Sequence, residues 1–159
     1  MDKLFAIIDA ICATISILGS VFAVVYYKKT KHIRNLISYK DAANKLAAII
    51  GELVEMKQFT NLEFCKGKNL KFIAKSFIDI EKRVRVIISE LDSKTHVFIE
   101  ETLNFKDCVK YMSQVTEGAK TKNGYLDNEN YDFDDFLSKL SSIESFLKSK
   151  AEKAEEKLK

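Results

Sequence analysis

Residues 4–27 read LFAIIDAICATISILGSVFAVVYY, an apolar run with one charge, Asp9, inside it. About 20 apolar residues in one helix span the ~30 Å hydrocarbon core of a bilayer. A helix packed on a soluble core rarely stays apolar all round for that length. The run therefore predicts a single transmembrane helix over residues 1–30, followed by a small helical domain over 31–159. Its flanks set a direction. Met1, Asp2 and Lys3 precede it, while Lys28, Lys29, Lys31, His32 and Arg34 follow it, with Lys40 further on. Lys and Arg gather on the cytoplasmic side. The expectation is an inner-membrane, single-pass protein with its N-terminus out and its C-terminal domain in the cytoplasm. A cleaved signal peptide fits poorly, because the run ends in Val-Tyr-Tyr-Lys-Lys without a small-x-small cleavage site. The other alternative is a helix buried within a soluble bundle.

The remaining part of the 159-residue chain is long enough for one modest domain. A net charge of +3 gives no argument for nucleic acid, and no DNA partner is expected. The charge is uneven, however. Lys and Arg concentrate in 28–40 and 66–85, and acids gather in 127–135. A basic segment beside a membrane suits an anionic lipid surface, although topology alone explains it. Cys12, Cys65 and Cys108 are scattered, with no zinc-ligand or redox spacing. Nothing forms a triad, a metal cluster or a P-loop, so no catalytic residue, metal or cofactor is expected. The chain has no proline, which suits long helices.

Periodicity predicts an all-α domain of about four helices. Leu36, Ala43 and Ile50 sit seven apart, with Leu46 and Leu53 at alternate positions, so a helix continues from the span to about Gln58. A connector follows, in which Phe59, Leu62 and Phe64 make a short strand or pin a loop. Leu70, Ile73, Phe77, Ile80, Val84, Ile87 and Leu91 then mark one face of a helix from Asn69, its expected N-cap, to about Asp92. Phe72, Ile78, Val86 and Ile88 widen that face. Thr95 is expected to cap a third helix running to about Thr116, with Phe98, Leu103, Phe105, Val109 and Met112 apolar; a short strand near 96–99 is the alternative. Residues 118–130 read as a polar loop. The last helix starts near Asp132, with Phe133, Phe136, Leu140, Ile143 and Leu147 facing inward, and the tail AEKAEEKLK is expected to fray.

Two constellations carry chemistry. Asp9, Ala13, Ser16, Ser20, Ala23 and Tyr27 fall on one narrow face at 4-3-4-3-4 spacing. Small residues let helix backbones approach closely in lipid, and a carboxylate there faces a partner or water. Asp9, Ala13, Ser16, Ser20 and Ala23 are therefore candidates for a transmembrane interface in a homo-oligomer, or for a pore lining. The second constellation is Lys66, Lys68, Asn69 and Lys71, with Lys75 one turn on. Free N–H groups at a helix start, with lysines beside them, make an anion site, so these five are candidate phosphate contacts. Lys82, Arg83 and Arg85 are expected to pair with Asp79, Glu81 and Asp92 at helical spacing. The acidic stretch 127–132 lacks the glycine and the closing glutamate of a calcium loop.

The Leu4–Tyr27 span, the Lys28–Arg34 flank and the length of the remainder together resemble the cyclic tetra-adenylate-responsive membrane effectors of some type III CRISPR systems. That resemblance implies a homotetramer that binds a cyclic oligoadenylate in its cytoplasmic domain and then perturbs the membrane or opens a pore. The alternative expectation is a non-enzymatic, membrane-tethered adaptor that binds a protein partner through its helical bundle.

Overall fold

The computed structural model of this chain describes residues 2–60, 68–118 and 133–158, without the side chains of residues 2–11, 57–60, 68–70 and 118. The described residues form helices α1 (Asp2–Thr60), α2 (Lys68–Ser89), α3 (Ser93–Glu101), α4 (Phe105–Gly118) and α5 (Phe133–Glu156), and no strand occurs among them. The all-α expectation holds to that extent.

The expected membrane span does not hold. Among the described residues, no helix is long and apolar enough to cross a membrane. Beyond Tyr27 the same helix carries Lys28, Lys29, Lys31 and Arg34, all exposed. The single-pass, N-terminus-out placement is corrected on the same ground. The boundary expected at residue 30 falls inside α1, which runs on without a break.

Cross-helix pairs fix the direction of each helix. Glu52 accepts from Arg83 at 2.7 Å and Lys45 lies 3.8 Å from Glu90, so α2 runs antiparallel to α1. Lys139 reaches Asp107 at 3.3 Å and the Tyr111 and Phe136 rings stack at 4.5 Å, so α4 and α5 are antiparallel. Lys40, 2.8 Å from Glu155, ties the start of the bundled part of α1 to the end of α5. The C-terminal half of α1 with α2, α4 and α5 therefore makes an up-down-up-down bundle. Each helix packs on the next, and α5 closes on α1.

The core follows the predicted stripes. Leu46 and Leu53 of α1, Ile73, Phe77 and Val84 of α2, and Leu140, Ile143 and Leu147 of α5 are all fully buried. Phe72 and Val86, expected to widen the face of α2, are instead exposed, because α2 is covered along one side only. Phe77, Tyr111, Phe133 and Phe136 form an aromatic cluster with centroid separations from 4.5 to 6.4 Å. The tail does not fray: α5 continues to Glu156, because Ala151 and Ala154 are buried on α1.

Three local expectations change. The N-cap before α3 is Asp92, whose carboxylate accepts from the Thr95 backbone N–H at 3.2 Å; Thr95 lies one turn inside the helix. Residues 96–99 are helical, within α3. The single helix expected to Thr116 is two, because Asn104 takes φ 53°. That left-handed conformation ends a right-handed helix, and Asn tolerates it better than most residues. The Asn104 carbonyl then accepts from the Asp107 N–H at 2.9 Å as α4 begins. Asn69, the expected cap of α2, is its second residue.

Candidate functional site

The predicted lysine site is only partly visible. Lys66 lies outside the described residues, as do the side chains of Lys68 and Asn69. Lys71 and Lys75 lie one turn apart on the exposed side of α2. Beside Lys75 a groove of about 580 Å³ opens between α1 and α2, floored by Met56, Phe72 and Ile80. Its other charged lining residues are Glu52, Glu55 and Asp79. Two of these carboxylates, Glu52 and Asp79, already face Arg83, so the groove presents an apolar floor under a mixed-charge rim, which suits an amphipathic segment.

The second basic group pairs as helical spacing predicts, with one addition. Arg85 reaches Glu81 at 2.9 Å and Arg83 lies 3.6 Å from Asp79. Arg83 also spans to Glu52 on α1, with two N–H···O bonds of 2.7 Å each. This fork-on-carboxylate pairing pulls the Glu52 carboxyl below its ordinary range and raises the guanidinium further. Asp92 takes no part in it.

Asp92 instead sits at a node that the sequence did not reveal. Its Oδ2 accepts from the Tyr39 hydroxyl at 2.5 Å and from the Thr95 hydroxyl at 2.6 Å. Burial alone pushes this carboxyl up. The hydrogen bonds from Thr95, Tyr39 and the backbone of Thr95 and Lys94 outweigh that and hold it below the ordinary carboxylate range. Burial, and then the bond to Asp92, raise the Tyr39 hydroxyl. The node fastens α1 to the α2–α3 corner at the point where α1 leaves the bundle. The available clue was Asp-x-x-Thr before a helix, which announces the cap but not the tyrosine 53 positions upstream.

Beyond the node, the N-terminal half of α1 projects with its apolar side chains uncovered. Leu18 is 53% exposed, Val21 55%, Phe22 71% and Tyr26 76%, with Ile15, Ile17, Val24 and Val25 similarly bare. At about 100° per residue these positions cover a little over half of the helix circumference, and Ala13, Ser16, Gly19, Ser20 and Ala23 lie on the other side. Of the predicted interface set, Ala13, Ser16, Ser20 and Ala23 are exposed, and the side chain of Asp9 lies outside the described residues. The Ser16 hydroxyl donates to the Cys12 carbonyl and that of Ser20 to the Ser16 carbonyl, each at 2.9 Å. Both hydroxyls are thus satisfied within the helix, and the stripe needs no external hydrogen-bond partner.

Cys108 stands apart, fully buried at the start of α4. Burial pushes its thiol from 9.0 up to about 12. The thiolate fraction at neutral pH falls about a thousandfold with such a shift. In a chain carrying Cys12→Ser and Cys65→Ser, a maleimide should react with Cys108 only after unfolding in urea. Rapid labelling of the native chain would show that Cys108 is reachable. Among the described residues, no His, Cys, Asp and Glu side chains group to hold a metal.

No protein-family model, curated protein or solved structure matches this chain.

Proposed function

We propose that the protein acts by assembly rather than by catalysis. The projecting half of α1 associates with copies of itself, and the four-helix bundles are carried outward as adaptor heads for protein partners. One observation carries this reading: the described stretch from Cys12 to Tyr27 bears large apolar side chains over more than half of its circumference, and they are uncovered within its own chain. A patch of that kind is rare on a monomer and marks an interaction surface. Full burial of one Val, Leu, Ile or Phe side chain stabilises by about 1.5–3 kcal/mol. The seven such side chains from Ile15 to Val25 supply on the order of 10 kcal/mol per copy, enough to offset an association cost of roughly 4–15 kcal/mol shared among copies. A two-helix pair leaves the far side of each helix bare, so a larger assembly is expected, with four copies favoured. The groove floored by Met56, Phe72 and Ile80 is the surface each head offers to an amphipathic segment.

The test is the mass of the full chain by sedimentation at several concentrations. The expected result is a homo-oligomer of about four copies, with the variant Leu18→Glu/Val21→Glu monomeric and its helical circular dichroism retained. Both sites point away from the bundle core, so the fold survives. A monomeric unsubstituted chain overturns the reading. So does a chain that stays monomeric and transfers to phosphatidylcholine–phosphatidylglycerol vesicles instead.

A further inference from the structure

We infer that the seam between α1 and α2 takes an acidic amphipathic helix of a partner protein, two carboxylates of which face Lys75 and Lys82. This rests on the adaptor reading above and names the chemistry of the partner. The groove beside Lys75 does not stand alone. A second cavity of about 420 Å³ lies between the same two helices, with Ala48, Ile49, Val86 and Ile87 as its apolar lining. The first cavity is lined by residues within 52–56 of α1 and 72–80 of α2, the second by residues within 45–49 and 82–87. Because α1 and α2 are antiparallel, the two cavities lie end to end along one seam. The Arg83–Glu52 fork crosses between them, and its two charges already neutralise each other. Phe72 and Val86, the large apolar side chains that α2 leaves exposed among the described residues, stand at the two ends of the seam.

The length of the seam and the chemistry of its walls select a helix. From Phe72 to Val86 is about 21 Å of helix, which a partner helix of about four turns covers. An extended peptide fits worse. Its backbone N–H and C=O groups would lie on an apolar floor between two helices whose own backbone groups are satisfied. Among the described residues there is no strand edge for it to pair with. A helix satisfies its own backbone and needs only an apolar stripe to fill the groove.

Charge selects the kind of helix. Lys45 lies 2.6 Å from Asp41, and Asp79 lies 3.6 Å from Arg83, so those rim charges are engaged. Lys75 and Lys82 make no ion pair among the described residues. Both are exposed, both stand on the α2 side of the seam, and they are seven positions apart. Two carboxylates at the same separation share one flank of a partner helix and meet both lysines. Glu55, on the α1 side, also makes no ion pair among the described residues and suits a cation on the other flank.

The experiment titrates the full chain against two fluorescent four-turn helical peptides that share one leucine stripe. One carries two glutamates seven residues apart on a flank of that stripe, and the other carries lysines in their place. The expected result is that the acidic peptide binds at least about tenfold more tightly, with the difference shrinking at high salt. Lys75→Glu/Lys82→Glu should reverse the preference, and Lys75→Gln/Lys82→Gln, which adds no new repulsion, should abolish it. All four substitutions are at exposed positions, so the fold survives, as helical circular dichroism reports. If both peptides bind equally, or if the preference persists in the variants, the inference fails and the adaptor reading stands. If neither peptide binds, or only phosphatidylglycerol vesicles do, the inference and the adaptor reading fail together, and sedimentation still decides self-assembly.

Discussion

Replacing Phe136 with alanine should nearly unfold the bundle. Phe136 is 2% exposed and touches three other rings, Phe77, Tyr111 and Phe133. It joins α5 to α2 and α4 at once, so its removal opens a cavity that no single helix can close by shifting. Phe→Ala in such a site costs about 3–5 kcal/mol, against a total stability of about 5–15 kcal/mol for a domain. At a urea slope of about 2 kcal/mol per molar, the midpoint falls by about 2 M. The measurement belongs in the monomeric Leu18→Glu/Val21→Glu background, because assembly makes the midpoint depend on concentration. Phe72→Ala, on the uncovered side of α2, is the contrast and should shift stability by less than about 0.5 kcal/mol. Equal losses at the two positions would mean that the aromatic cluster is not the centre of the core.

Asp92→Ala is the second large effect, and it adds a pH signature. The substitution removes the α3 cap, worth about 0.5–2 kcal/mol. It also takes away the shared acceptor of the Tyr39 and Thr95 hydroxyls, which lie 3.3 Å apart and can then bond only each other, at a further ~1–3 kcal/mol. A loss of about 2–4 kcal/mol is expected. The folded Asp92 carboxyl titrates below its ordinary value of 3.8. Its contribution is therefore complete above that value and is lost as pH falls through the folded one. Tyr39 has the opposite sense. Its hydroxyl is raised above 10.0, so its contribution is complete below that value and is lost as pH rises through the folded one. Urea midpoints of the unsubstituted chain should decline at both ends, and Asp92→Ala should flatten the acid limb. An acid limb that persists unchanged in the variant would assign the pH dependence to other carboxylates. A Tyr39→Phe cycle then measures the Tyr39–Asp92 coupling directly.

The helical class of this protein was legible in its sequence, because a 3-4 rhythm is a local property. The stripe Ile73, Phe77, Ile80, Val84, Ile87 and Leu91 is buried as read, and so is Phe136, Leu140, Ile143 and Leu147. The absence of proline allowed α1 to run from Asp2 to Thr60. What the rhythm could not say was how far a helix is covered. Phe72 and Val86 resemble core residues in sequence, yet none of the described helices buries them. Ala151 and Ala154 resemble a fraying tail, yet α1 lies against them.

The apolar run at the N-terminus shows the same division. Composition alone predicted that residues 4–27 need covering, and the structure leaves their described side chains, from Cys12 to Tyr27, bare. The membrane as their cover does not hold among the described residues, where no helix is long and apolar enough to cross one. The Tyr39–Asp92–Thr95 node joins positions far apart in the chain, so only tertiary structure could bring those three groups together.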